Sequence, residues 1–223
     1  MDASFDESSA TKITLWGDLA SVSGSGVAAE GSTVTISTAG TYIESGNLTD
    51  GSIAVTTSEN DKVQIVLNGV KIAYSSGPAI DVQSADKCFI MLTEGTQNSL
   101  SDGSVFTSED ANACIYATYD LAINGSGSFD VSGNYRHGVF SKDGLVVYGG
   151  KVVLDSQGDG VDSNGNVEIN GGTLLVNGPS SDGDGAFDYD GEATISGGTV
   201  LMVGAVGMAQ SFTGGTQAFA LVQ

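Results

Sequence analysis

Residues 146–203 read VVYGGKVVLDSQGDGVDSNGNVEINGGTLLVNGPSSDGDGAFDYDGEATISGGTVLMV, and the reading of this stretch decides the fold. One phrase occurs three times: apolar residues, a polar one, Gly-Gly, one residue, then apolar residues again. With the earlier "LAINGSGSFDV", the glycine that follows each strand falls at Gly125, Gly149, Gly171 and Gly197, in steps of 24, 22 and 26 residues. A second marker runs in phase. "ACIYA", "GVFSK", "GVDSN" and "GAFDY" put Ile115, Val139, Val161 and Ala186 at equivalent places. Two markers with one period make a repeat rather than chance glycine richness.

Inside each unit apolar residues alternate: Leu145 and Val147, Val152 and Leu154, Val167 and Ile169, Leu174 and Val176. Period two means strands, and Gly-Gly or Asp-Gly pairs between three- to five-residue runs mean tight turns. A sustained 3.6-residue period is absent, which excludes alternating strands and helices. A period of roughly 22 with two or three short strands is a solenoid signature. One coil cannot bury its inward side chains alone, whereas stacked coils share an apolar column. The expectation is an all-β parallel β-helix of roughly 22-residue coils. It should have about eight to ten coils spaced about 4.8 Å apart. The leucine-rich and RTX templates are missing. The 223 residues fit one domain, with N-terminal strands over residues 1–50, coils over 51–205 and a C-terminal strand or cap over 206–223.

Glycine is high at 33 residues and proline low at 2, which suits many turns rather than a disordered linker. Seven Lys and Arg face 27 acidic residues, a net charge of −20. Such a chain repels nucleic acid and anionic lipid, which bind by phosphate neutralisation. It attracts hard cations, although most of the charge is read as a solvated surface. Eighteen consecutive apolar residues occur nowhere, so membrane insertion is not expected. The opening "MDASFDESSA" lacks the basic and apolar regions of a signal peptide. Cys88 and Cys114 sit in apolar stretches outside any CxxC pair, and are read as buried free thiols, with a disulfide as the alternative.

Stacked coils bring equivalent residues together. The residue before each coil-opening glycine is His137, then Asp159, then Asp184, with Asp155, Asp162, Asp182, Asp188 and Asp190 nearby. Carboxylates one strand spacing apart repel, so one takes up a proton or a cation sits between them. With Asn164 and loop carbonyls in reach, Ca2+ is the expected ion, because it takes 6–8 oxygens in tolerant geometry. Mg2+ demands a strict octahedron and Zn2+ prefers His or Cys. The stretch from Asp155 is not an EF-hand, since its twelfth position is Asn166. For any single aspartate, turn chemistry suffices. His137 is expected to cap the Asp159 column as a donor.

The phrases "AGTYIESGNLTDGSIAV", "DKVQIVLNGVKI", "GPAIDV", "LTEGTQNSLSDG" and "DANACIYATYDLAINGSGSFDVSGNYRHGVFSKDGLVV", with "ISGGTV" and "GMAQ", resemble the carbohydrate-binding, calcium-containing β-helix domain family of cellulolytic clostridia. The resemblance covers nearly all of residues 10–210 and is most specific over 110–147. It implies a right-handed parallel β-helix like that of pectate lyases, bound Ca2+, and secretion or display at the cell surface. It also implies non-catalytic binding of cellulose and acidic sugars such as polygalacturonate. The chain departs from the family pattern in its fewer Asp-Gly coils, which bears on the number of calcium sites.

Three uses of such a scaffold compete. Sugars stack on flat aromatic faces. Tyr116, Phe140 and Phe187 are placed at equivalent, outward positions in one row with Asp162, and Tyr135 and Tyr189 lie nearby. That row beside calcium would bind polysaccharide, while half-exposed strand aromatics are the plain alternative. A lyase would need a base, and the basic residues near the acidic coils are Arg136, Lys142 and Lys151. Lys142, beside Asp143, reads better as a surface charge. Third, the open ends of a solenoid invite self-association into an end-to-end filament or matrix, with calcium as a candidate glue.

Overall fold

In a computed structural model, described here for residues 5–108, 110–181 and 183–222, the chain is all-β. Three parallel ladders run through it. The first holds Thr33–Ile36, Ser52–Thr56, Ile80–Ser84, Ala113–Ala117, His137–Ser141, Val161–Ser163 and Phe187–Tyr189 in order. The second runs from residues 62–67 through Lys87–Leu92, Asp120–Gly125, Leu145–Val147, Val167–Ile169 and Ala193–Ile195 to Gly214–Gly215. The third runs from residues 71–74 through Gln97–Asp102, Ser128–Gly133, Lys151–Ser156 and Thr173–Asn177 to Thr199–Val203. The long strand Lys62–Tyr74 belongs to both of the latter and joins them into one fifteen-stranded sheet. Each turn of chain therefore contributes one strand to each ladder, as a solenoid does.

The alternation read in the sequence sets which side chains enter the core. Leu121, Leu145, Val167 and Ala193 stack in one column, and Ile123, Val147, Ile169 and Ile195 in the next. Phe129, Val152, Leu174 and Val200 form a column on the third ladder. All but Val200 are buried. The Gly-Gly phrase has a physical reason on each coil. Gly172 has φ of 77°, and a Cβ there would stand 2.6 Å from the Gly150 carbonyl oxygen. Only glycine allows both the left-handed turn and the coil-to-coil approach.

The first ladder holds seven parallel strands, and Thr11–Gly17 and Gly40–Leu48 stack parallel ahead of Lys62–Tyr74 in the second. The opening residues add antiparallel pairs, Leu19–Ser23 on Thr11–Gly17 and Val27–Glu30 on Thr33–Ile36. One expectation changes, because the second marker shifts. Val161 pairs with Phe187, not Ala186, so register partners Ile115, Val139, Val161 and Phe187 follow steps of 24, 22 and 26 residues. Cys88 and Cys114 are buried free thiols.

Candidate functional site

The first ladder carries one outward row of register partners: Asp81, Tyr116, Phe140, Asp162 and Asp188. Tyr116 and Phe140 stack with ring centroids 5.0 Å apart and planes at 11°. A carboxylate flanks this pair on one side and two flank it on the other. Burial raises the Asp81 carboxyl above its ordinary range, against a hydrogen bond from Gln83 Nε2 at 2.6 Å. Burial also pushes Asp162 up to about 6. The His137 and Arg136 charges lower it, while those of Asp159 and Asp188 raise it further. Asp188 is raised by burial and then by Asp159, although its Oδ1 accepts the Tyr189 N–H at 2.9 Å. Its second partner is the Gln210 side-chain amide. Burial leads all three shifts, and at Asp162 and Asp188 the neighbouring carboxylates add to it.

Behind the row, at the start of its strand, lies His137, which is buried. Its Nδ1 accepts the Asp159 N–H at 3.0 Å. The Asp159 Oδ2 stands 3.0 Å from the same nitrogen. His137 Nδ1 thus faces both the amide and the carboxylate of Asp159, the column it is expected to cap. Nε2 points at Asp162 Oδ2 from 3.5 Å and has no hydrogen-bond partner among the described residues. Asp159 is also buried, and its Oδ1 accepts the Gly185 N–H at 2.7 Å. Asp184 lies one residue out of register with Asp159, yet His137, Asp159 and Asp184 each bring one ligand-type atom within 4.8 Å of the others. Arg136 Nη2 pairs with Asp184 at 3.2 Å.

The other expected metal residues are placed differently. Asp155 is exposed on the third ladder and accepts a bond from Asn177 Nδ2 at 3.0 Å, so it faces away from the cluster. Asp190 is exposed at a coil corner, with its N–H on the Ser163 carbonyl at 2.9 Å. Asp182 lies outside the described residues. Asn164 is exposed at a turn.

The expected aromatic row is corrected in one member. Phe187 is 3% exposed and sits in the inward column beneath Val161, packed on Tyr189 and Phe212. An extra residue in the preceding loop moves it one place, which reverses its face. Phe140 is in the outward row as expected but is itself covered, at 7% exposure. Tyr189 is half-buried, with its hydroxyl donating to the Ser211 carbonyl. Tyr135 is 40% exposed and stacks on Phe106 at 4.3 Å. That pair lies in the corner loops leading into the first ladder, next to Arg136 and His137 in sequence. Phe106 and Asp81 were missed in the sequence reading. Phe106 sits in an irregular loop that aligns with no other coil. The strand pattern of Asp81 was legible, but its coil lies before the clear repeat.

Among the described residues, no helix is long and apolar enough to cross a membrane. A family model described as carbohydrate-binding domain-containing protein matches residues 30–220. A carbohydrate-binding domain-containing protein of Acetivibrio thermocellus is 33% identical over 126 residues. That match covers 54% of this chain and 44% of the relative, so it spans less than half the relative's length. The solved structure of the polysaccharide lyase-like protein from C. thermocellum, a gadolinium derivative, aligns with a TM-score of 0.75 at 26% identity. The alignment covers 89% of this chain and 92% of that one.

Proposed function

The chain belongs to the family of carbohydrate-binding domain-containing proteins, and on that premise we propose that it is a non-catalytic, calcium-dependent module that binds polysaccharide outside the cell or at its surface. Acidic chains such as polygalacturonate are the favoured ligands, with cellulose as the neutral one. The observation that carries this reading is the outward row, a stacked Tyr116–Phe140 pair flanked by carboxyls whose proton affinity is raised. The scaffold proposed is a right-handed parallel β-helix, since crossovers between parallel strands of one sheet are right-handed almost without exception.

The residues fit a hard cation. Asp162 and Asp188 are register partners in the row, and behind them His137, Asp159 and Asp184 bring ligand-type atoms within 4.8 Å of one another. Burial first and then the neighbouring carboxylates raise the proton affinity of Asp162 and Asp188, and a bound cation would offset both. Asp159 has both oxygens engaged, with Gly185 and His137, and acts as support. Calcium, when bound, would let these acids ionise together and would take uronate oxygens in its remaining positions. Tyr116 and Tyr135, the exposed member of its stack with Phe106, supply the stacking faces. The non-catalytic reading rests on the basic groups. Arg136 is tied to Asp184, and a guanidinium does not give up its proton readily. Lys142 and Lys151 are exposed and stand outside the row.

Pull-down on cellulose and titration with polygalacturonate, each in calcium and in EGTA, test the reading. Retention in calcium should be lost in EGTA for the acidic ligand, and Tyr116→Ala with Tyr135→Ala should weaken both ligands. Equal binding of acidic ligand with and without calcium would remove the metal from the reading. Release of unsaturated uronate ends would make the protein a lyase.

A further inference from the structure

We propose that copies of this chain dock head to tail, the Thr199–Val203 end of one against the Leu19–Ser23 end of the next. Among the described residues, Thr199–Val203 pairs only with Thr173–Asn177, and Leu19–Ser23 pairs only with Thr11–Gly17. Both are five-residue strands with the same alternating exposure and one edge unpaired by any strand, that of Leu19–Ser23 being met only where the Ala20 N–H donates to the Gly31 carbonyl at 2.9 Å. Thr199–Val203 runs along the ladders, whereas Leu19–Ser23 runs antiparallel to the neighbour that joins them, so the two edges would meet as an antiparallel pair.

The core column is also incomplete at both ends. Ala20, Val27 and Ala29 at one end, and Val200, Met202 and Phe212 at the other, pack on the core but stay partly exposed. Outside them, Trp16 and Leu19 at one end and Leu201 and Val203 at the other are exposed apolar side chains.

Charge selects the occupant. The chain carries a net −20, yet residues 193–223 hold no Asp, Glu, Lys, Arg or His, and neither do residues 19–29. Soluble sheets normally guard free edges with charge or proline. Here the two edges are the neutral parts of an acidic body. Side-by-side approach of two copies sets like charge against like, whereas end-to-end approach brings neutral edges together. Because the two ends differ, the contact is heterologous and repeats, so it yields open chains rather than closed dimers.

Light scattering and analytical ultracentrifugation of the 223-residue chain test this. Mass should rise at least two-fold with concentration, and more so in salt, which screens the body charge. Met202→Lys and Ala20→Lys each place a charge that reaches solvent in the monomer but is buried in the docked pair. Each variant should be monomeric by itself, and added to wild type it should cap chains at one end and lower their mean mass. An equal mixture of the two should form dimers and stop, because each has one intact end. Leu201→Lys and Leu19→Lys replace them if circular dichroism shows misfolding. A wild type that stays monomeric across concentration and salt overturns the proposal. So does a mixture that stays monomeric, or a variant that dimerises with itself.

Discussion

Glu44 lies in the strand Gly40–Leu48, with Ile13 and Leu67 as its register partners on either side. It is fully buried, and neither carboxylate oxygen has a hydrogen-bond partner among the described residues. Burial therefore raises its carboxyl from 4.5 to about 8. In the unfolded chain it ionises near its ordinary value. Below that value it is protonated in both states and has no pH-dependent effect. Between the two values the unfolded state gives up the proton and the native state holds it. Stability then falls as pH rises, by at most about 1.4 kcal/mol per unit. The loss is about 3 kcal/mol by neutral pH and levels off at roughly 5 kcal/mol above the native value. Glu44→Gln keeps the shape and removes the titration. The assay is urea unfolding of both proteins in steps from about pH 5 to about pH 9. The buried amide adds a constant offset, so the informative quantity is the difference in slope. The wild-type curve should fall relative to the variant up to about pH 8 and run parallel to it above that. Parallel curves throughout would mean that Glu44 is not held neutral, and the reasoning from burial would fail. Glu44→Leu, which continues the apolar column, should raise stability at alkaline pH.

Three other outcomes follow from the same structure. Phe187→Ala should cost about 3–5 kcal/mol in unfolding free energy, because it empties the core column beneath Val161, whereas Tyr116→Ala should cost far less. Asp162→Asn should raise the melting temperature in EGTA, by relieving like charge from Asp159 and Asp188, and shrink the calcium-induced rise; Asp155→Asn, bonded to Asn177, should change neither. Cys88 and Cys114 are buried with their thiols raised in proton affinity, so a thiol reagent should label neither in the native protein and both in denaturant.

The sequence by itself determined the strands, the turns and the stacking of like residues. Those features are local: alternation every second residue, and a Gly-Gly turn that only glycine can make where one coil backs onto the next. That is why Leu145, Val147, Val152 and Leu154 were assignable to the core, and why Tyr116, Phe140 and Asp162 could be placed on one face. What the tertiary structure alone decided lies across the long loops. One additional residue before Phe187 moved it from the outward row to the inward column, and no local signal marks that slip, because the pleat repeats every two residues and either register satisfies the turn. The same holds for Asp155, which the sequence sets four residues from Asp159 but which the coil corner turns onto another ladder. The Phe106–Tyr135 stack joins residues from adjacent coils, and His137 gains Asp159 and Asp162 from the coil after its own. Such contacts depend on how the coils are registered against one another, a property of the packed column rather than of any segment in it.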